Sequence, residues 1–309
     1  MNTQSNAITP PPLGAQAVAP ADIPLIRQFD SSVRRELWES RSIYMAPSAV
    51  AGLFLFGFLI NAMHLPQRLR SASGLSPGQL HDVIEQPYAM VALLIMGVSF
   101  VVAVFYCLDA LYGERRDRSI LFWKSLPVSD TTTVLAKTSI PVVVLPLLAF
   151  AITVATQFAM LLLSSAVLLG SGMSVGRLWS DLPLFHMWRI LFLHLMAGHG
   201  LWYAPIYGWL LLVSAWVRRA PFLWATLPLL AIGAVEKIAF NTSHFAAILQ
   251  YRMLGGPSDS VSTTGMLMDA MTPYTTGQLL SSPGLWIGLA ITAAFLAGAV
   301  RLRRYHGPI

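Results

Sequence analysis

Six apolar stretches in this 309-residue chain approach or reach the ~20 residues that a helix needs to cross a hydrocarbon core. They lie near 43–63, 88–108, 138–165, 188–216, 221–240 and 284–300. The sixth is short, and the fourth is interrupted by Pro205. Hydrophobic residues make up 55% of the chain and charged residues 11%, where a soluble domain carries roughly 25% charged. The sequence therefore reads as an all-α integral membrane protein with six transmembrane helices.

The few charges fall between the runs and set an orientation. Of the twenty Lys and Arg, the N-terminal tail carries four, the 109–137 loop five, the Arg218-Arg219 turn two and the Arg301, Arg303, Arg304 end three. These segments share one side when the spans are even in number, and the positive-inside rule then places them and both termini in the cytoplasm. The formal charge of +6 is read as this topology signal. Split among four segments, it offers no continuous nucleic-acid patch.

Residues 1–28, with Pro10-Pro11-Pro12 and no charged head before an apolar core, lack the pattern of a cleaved leader. They read as a disordered cytoplasmic tail, ahead of a single transmembrane domain over 29–309. Across 29–42, Phe29, Val33 and Leu37 recur every four residues, with Trp38 beside them and Arg34, Arg35 and Arg41 among the polar positions. This predicts a helix lying on the membrane surface, or a solvated helix leading into the first span. The outer loop 241–283 holds two apolar pieces too short to span, His244–Met253 and Met266–Met271, separated by Gly255-Gly256-Pro257. They are expected to form short outer-side helices before the sixth span.

The densest charge island runs from Asp109 to Ser129 between spans 2 and 3. Glu114 precedes Arg118 by four residues, the spacing that supports a helical turn, and Ile120, Trp123 and Leu126 follow at three-residue steps. A short amphipathic helix over 112–126 is predicted. Pro127 ends it, since proline disfavours helical geometry in the residue before it. Ser129 and Asp130 form the N-cap and first turn of the next helix.

Tyr-Gly-Glu-Arg-Arg-Asp-Arg-Ser-Ile-Leu-Phe-Trp-Lys-Ser-Leu-Pro-Val-Ser at 112–129, followed by Val134-Leu-Ala-Lys137, resembles the cytoplasmic loop of type 2 ATP-binding-cassette (ABC) transporter permeases. One departure is Arg118, where the family commonly has a small residue. The resemblance implies a coupling helix between spans 2 and 3 that docks on a separate ABC ATPase subunit. Glu114, Arg115, Arg116 and Asp117 would fix the loop at the docking surface, and Leu121, Phe122 and Trp123 would fill an ATPase groove. It further implies a permease homodimer or heterodimer in a bacterial inner membrane, acting as an exporter, and re-entrant character for the two outer pieces. Interfacial helices anchoring the outer loop are the alternative for those pieces.

The chain itself carries no hydrolytic machinery for ATP. Its three lysines, Lys124, Lys137 and Lys237, do not follow a glycine, so there is no Gly-Lys-Ser/Thr phosphate loop. ATP is expected to be bound by the partner, with no catalytic residue, cofactor or metal in this chain. Cys107 alone makes neither an internal disulfide nor a cysteine metal cluster. His194, His199 and Tyr203 fall in the outer half of the fourth run, where they either bond between helices or line a polar pathway. On an α-helix the five-residue step sets the two histidines about 140 degrees apart, a poor arrangement for one metal. Asn61 and Gln157 read as helix-packing residues. The rival class is an intramembrane haem, metal or enzymatic subunit using His194, His199 and Glu236, and a third is a non-transporting membrane anchor for an ATPase.

With Cys107 replaced, a cysteine at Ser119 should react with an impermeant thiol reagent only after cells are opened, and one at Ser258 from outside. Labelling of position 119 in intact cells would reverse the orientation.

Overall fold

Helix occupies the apolar runs in the computed structural model, which describes residues 25–67, 77–125, 128–172, 175–176, 179, 184–254 and 280–305. Among these residues the principal elements are α1 (Leu25–Glu39), α2 (Ser42–Ala62), α3 (Pro77–Ala110), α4 (Tyr112–Arg116), α5 (Ser119–Ser125), α6 (Asp130–Ser139), α7 (Leu145–Gly170), α8 (Leu184–Leu193), α9 (Ala204–Trp216), α10 (Pro221–Phe240), α11 (His244–Leu254) and α12 (Pro283–Tyr305). Two π-helical segments, Ile140–Val144 and His194–Trp202, join α6 to α7 and extend α8 toward α9.

Among the described residues five helices are long and apolar enough to cross a membrane: Ser42–Ala62, Ile84–Arg116, Asp130–Gly170, Pro221–Phe240 and Pro283–Tyr305. These make the chain a multi-pass membrane protein. The last is longer than the 284–300 run suggested. The fourth run differs, because Pro205 lacks the amide that would continue the ladder. The chain turns at Tyr203 between the π-segment and the 13-residue α9.

Among the described residues the two largest apolar clusters hold most of the bundle. One joins α2, α3, α7 and α8 through Tyr88, Ile95, Met160 and Leu191; the other gathers Ile43, Cys107, Ile140, Tyr207 and Leu211 beneath Val33 and Leu37 of α1. Gln157 ties the first core together, donating to the Tyr88 carbonyl at 2.9 Å and accepting from Trp188 at 2.7 Å. Asn61, by contrast, is exposed at the end of α2. Ser99, Thr138, Thr153 and Thr292 donate to carbonyls one turn back in their own helices, so these hydroxyls enter the interior satisfied. α10 is buried only at Ala225, the burial expected of a helix that faces lipid on most sides.

α1 starts ahead of the Phe29 boundary and stops at Glu39, before the turn into α2. It packs on α6 while Ile26 and Trp38 remain exposed. Of the two outer pieces, His244–Met253 is helical as α11, whereas 266–271 lies outside the described residues.

The two π-segments lie against each other. Pro141 opens the first, where its ring is incompatible with a regular turn, and the wider i→i+5 pattern absorbs the extra residue. Leu145 accordingly bonds Ile140, and Tyr203 bonds Gly198. A Cβ at Gly200 would stand 2.5 Å from the Val142 carbonyl oxygen, so only glycine permits this backbone approach. Gly200→Ala is expected to destabilise the fold by about 1–3 kcal/mol as an overpacked core site, read as a lower melting temperature in detergent. Gly97→Ala, with open space around its Cβ position, is the matched control.

Candidate functional site at the charged end of the bundle

Charge collects at the end of the bundle where the α3–α6 connection, α1 and the C-terminal turn of α12 meet. Glu114 is the centre: its Oε1 lies 3.1 Å from the Lys137 ammonium and its Oε2 lies 3.0 Å from Arg303 Nη1. The Arg303 contact is an ion pair without hydrogen-bond alignment, and both of its atoms lack a hydrogen-bond partner. Lys137 also donates to both oxygens of Glu36, at 2.9 and 3.0 Å. Arg35 and Tyr106 donate to the same carboxylate, at 2.9 and 2.8 Å. Arg303 Nε completes the cluster on Asp130 at 3.0 Å. Three carboxylates thus face three cations with no net charge left over. Lys137, Glu36 and Arg303 are nearly inaccessible, at 3%, 2% and 4% exposure.

Burial pushes the Glu36 carboxyl up. The Lys137 ammonium and the hydrogen bonds from Lys137, Arg35 and Tyr106 outweigh that and hold it below the usual 4.5.

A second lock sits beside the first. Ser214 Oγ on α9 accepts from the Leu111 and Tyr112 amides at 3.0 and 2.9 Å, satisfying the start of α4. Arg115 returns the contact by donating to the Ser214 and Val217 carbonyls at the end of α9. A cation there complements both the orphan carbonyls and the helix dipole. Ser129 caps α6 by accepting from the Thr132 amide at 3.0 Å, the role its position predicted.

The predicted 112–126 helix is two helices, α4 and α5, with a break at Asp117 and Arg118. Arg118 has φ 58°, a left-handed conformation that favours glycine, and this is the position where the resembled loops commonly carry a small residue. The break cancels the expected Glu114–Arg118 turn and lets Glu114 point inward. Leu126 and Pro127 lie outside the described residues.

The predicted docking residues therefore divide. Glu114 and Arg115, expected on the docking surface, are buried in the bundle because each has intramolecular partners. Arg116 and Asp117 are exposed and pair with each other, with Asp109 3.6 Å from Arg116. Ile120 points inward at 2% exposure, whereas Leu121 and Phe122 face outward at 58% and 60%. Trp123 is half-buried, with the Arg35 guanidinium 3.8 Å from its ring centroid and the Phe122 ring edge-on at 4.9 Å.

His199 and Tyr203 do come together, inside an aromatic cluster whose other members, Phe100 and Tyr207, sequence reasoning missed. Phe100 lies 5.7 Å from His199 and 5.2 Å from Tyr203, and Tyr207 Oη approaches His199 Nδ1 at 3.5 Å. The 140-degree separation of His194 and His199 does not hold, because a five-residue step in a π-segment returns near the same face. Among the described residues no group of three or more His, Cys, Asp or Glu is placed to hold a metal. Glu236 has a different use: it accepts from the His244 and Phe245 amides and from Thr242, capping α11.

No family model, curated protein or solved structure matches this chain.

Glu36 and Ser214 were not singled out from sequence, and Lys137 and Arg303 entered only through the loop motif and the charge count. A signal did exist for two of them. Glu36 lies between Val33 and Leu37 on the apolar face of α1, and Lys137 interrupts the approach to the third run. Lys137→Met should cost about 3–5 kcal/mol near neutral pH by stranding buried carboxylates. Glu36, held low in the folded protein, contributes stability above 4.5 that is lost as pH falls through its folded value. The gap between wild type and variant should therefore narrow in acid, measured by denaturation in detergent from pH 7 downward. A gap independent of pH would remove Glu36 from the account.

Proposed function

We propose that this chain is the membrane-spanning permease subunit of an ATP-driven transporter of the type 2 ABC class, coupled to a separate ATPase. The observation that carries the reading is α5, which holds Leu121 and Phe122 out at the charged end of the bundle while Ile120 anchors it from beneath. Large apolar side chains on such a helix gain about 1.5–3 kcal/mol each when a partner covers them, less the cost of ordering them. The Tyr112–Ser129 motif supplies the class of partner.

In this reading α8, its π-segment and α9 together form a sixth span, and both termini face the cytoplasm of a bacterial inner membrane. Two permease subunits act with two ATPases, in the direction of export. Leu121 and Phe122 enter the ATPase groove, with Arg116 and Asp117 at its rim. Glu114 and Arg115 act from within, joining the docking helix to α6, α9 and α12 so that a push on α5 reaches several helices. The face carrying His194, His199 and Tyr203 lines the pathway. Opening it requires Tyr203 to release the Met253 carbonyl, to which it donates at 2.9 Å.

The tagged protein purified from its native membranes is expected to carry vanadate-sensitive ATP hydrolysis. Leu121→Ala with Phe122→Ala should lose that activity by tenfold or more per folded chain, on the order of the burial energy above. Leu230→Ala, on the exposed face of α10, should retain it. A monodisperse double variant with wild-type hydrolysis, or a wild type with none, would refute the coupling assignment.

A further inference from the structure

Beside the charge cluster, α6 and α12 line an open groove of 610 Å³. That volume lies within the roughly 300–1,000 Å³ of small-molecule sites. Its lining is mainly apolar: Val134 of α6 packs on Leu296 and Val300 of α12 to form the floor, and Leu135, Ala293 and Ala297 flank that seam. Arg301 and Arg304 stand at its mouth, three residues apart and so on one helix face. Both are exposed. Arg303, between them in sequence, is turned inward onto Glu114 and Asp130, so the two groove arginines are set apart from the cluster. Lys124 brings a third cation to the rim by donating to the Arg304 carbonyl at 3.4 Å. Asp130, the acid nearest along α6, is committed to Arg303.

We infer that this groove is a binding site for an anionic phospholipid of the surrounding leaflet, one acyl chain lying along the seam of α6 and α12 and its phosphate held by Arg301 and Arg304. A tail-and-phosphate amphiphile matches both features, apolar walls at the depth of a spanning helix and paired guanidiniums at the headgroup level. Guanidinium is suited to phosphate through its forked donors. Basic pockets between spanning helices select anionic headgroups on the same physical grounds. A helix from a second copy of this chain would match the walls but leave the two arginines without an anion. The inference rests on α12 as a membrane span, and it is independent of the ATPase coupling proposed above.

The full chain is reconstituted in nanodiscs of equimolar phosphatidylglycerol and phosphatidylcholine with matched acyl chains. It is then extracted, washed, and its retained lipid quantified per chain by mass spectrometry. Both leaflets carry the same mixture, so the result does not depend on orientation. Wild type should retain phosphatidylglycerol in clear excess. Arg301→Gln with Arg304→Gln should lower its retention relative to phosphatidylcholine by roughly fivefold per arginine, while Arg303 is left intact. Ala297→Phe, which fills the groove from the α12 wall and keeps both arginines, should lower retention as well. Equal retention of the two lipids by wild type, which needs no variant to fold, would overturn the inference. So would unchanged phosphatidylglycerol retention in both folded variants, or its complete displacement by glycerol phosphate, which would mark a site for free phosphate alone.

Discussion

Glu114, buried between Lys137 and Arg303, is the interaction on which the charged end of this protein depends. A carboxylate without those two cations would not be tolerated there, since the desolvation penalty is several kcal/mol per ion. The cations in turn need Glu36 and Asp130 to complete their own pairing. Such a cluster adds little net stability over a well-packed apolar one, and its consequence is registry. It accepts only one alignment of α1, the α4–α5 turn, α6 and the end of α12, elements far apart in the chain. Arg115 and Ser214 extend the same logic to α9, with each element satisfying the loose backbone groups of the other.

That registry explains the posture of α5. Arg118 in its left-handed conformation turns the chain between α4 and α5, so Ile120 meets the bundle while Leu121 and Phe122 do not. Trp123 is kept near α1 by the Arg35 guanidinium, and Arg35 also belongs to the Glu36 group. The exposed side chains are therefore carried on a helix tied to the charge cluster on both sides.

The apolar half of the molecule is held by close approach instead of charge. Gly200 lets one π-segment reach the carbonyl of the other, and Gly208 brings α9 within contact of Thr292 and Phe295 on α12. Within lipid, where apolar burial alone gives helices no preference for each other, small residues at crossings supply the packing. Tyr203, Trp202 and Arg252 then fasten α11 over the far end through the Met253, Arg252 and Gly284 carbonyls.

The helical class, five of the apolar spans, the Ser129 cap and the presence of structure in the 112–125 loop were legible because each follows from a local pattern: run length, period or a capping residue. The direction each side chain of that loop takes was not legible. One φ angle at Arg118 divides a helix that periodicity drew as continuous, and Glu114 and Arg115 turn inward while Arg116, Asp117, Leu121 and Phe122 stay outside. The π-segments were hidden for a similar reason, since a 3.6-residue period was assumed through Ile140–Val144 and His194–Trp202. By itself the sequence determined that the chain builds apolar helices with basic connections between them, because hydrophobicity and charge belong to the residues wherever they lie. Only the tertiary structure decided that Glu36, Glu114, Lys137 and Arg303 neutralise one another, because their partnership depends on distances between helix ends that no local pattern records.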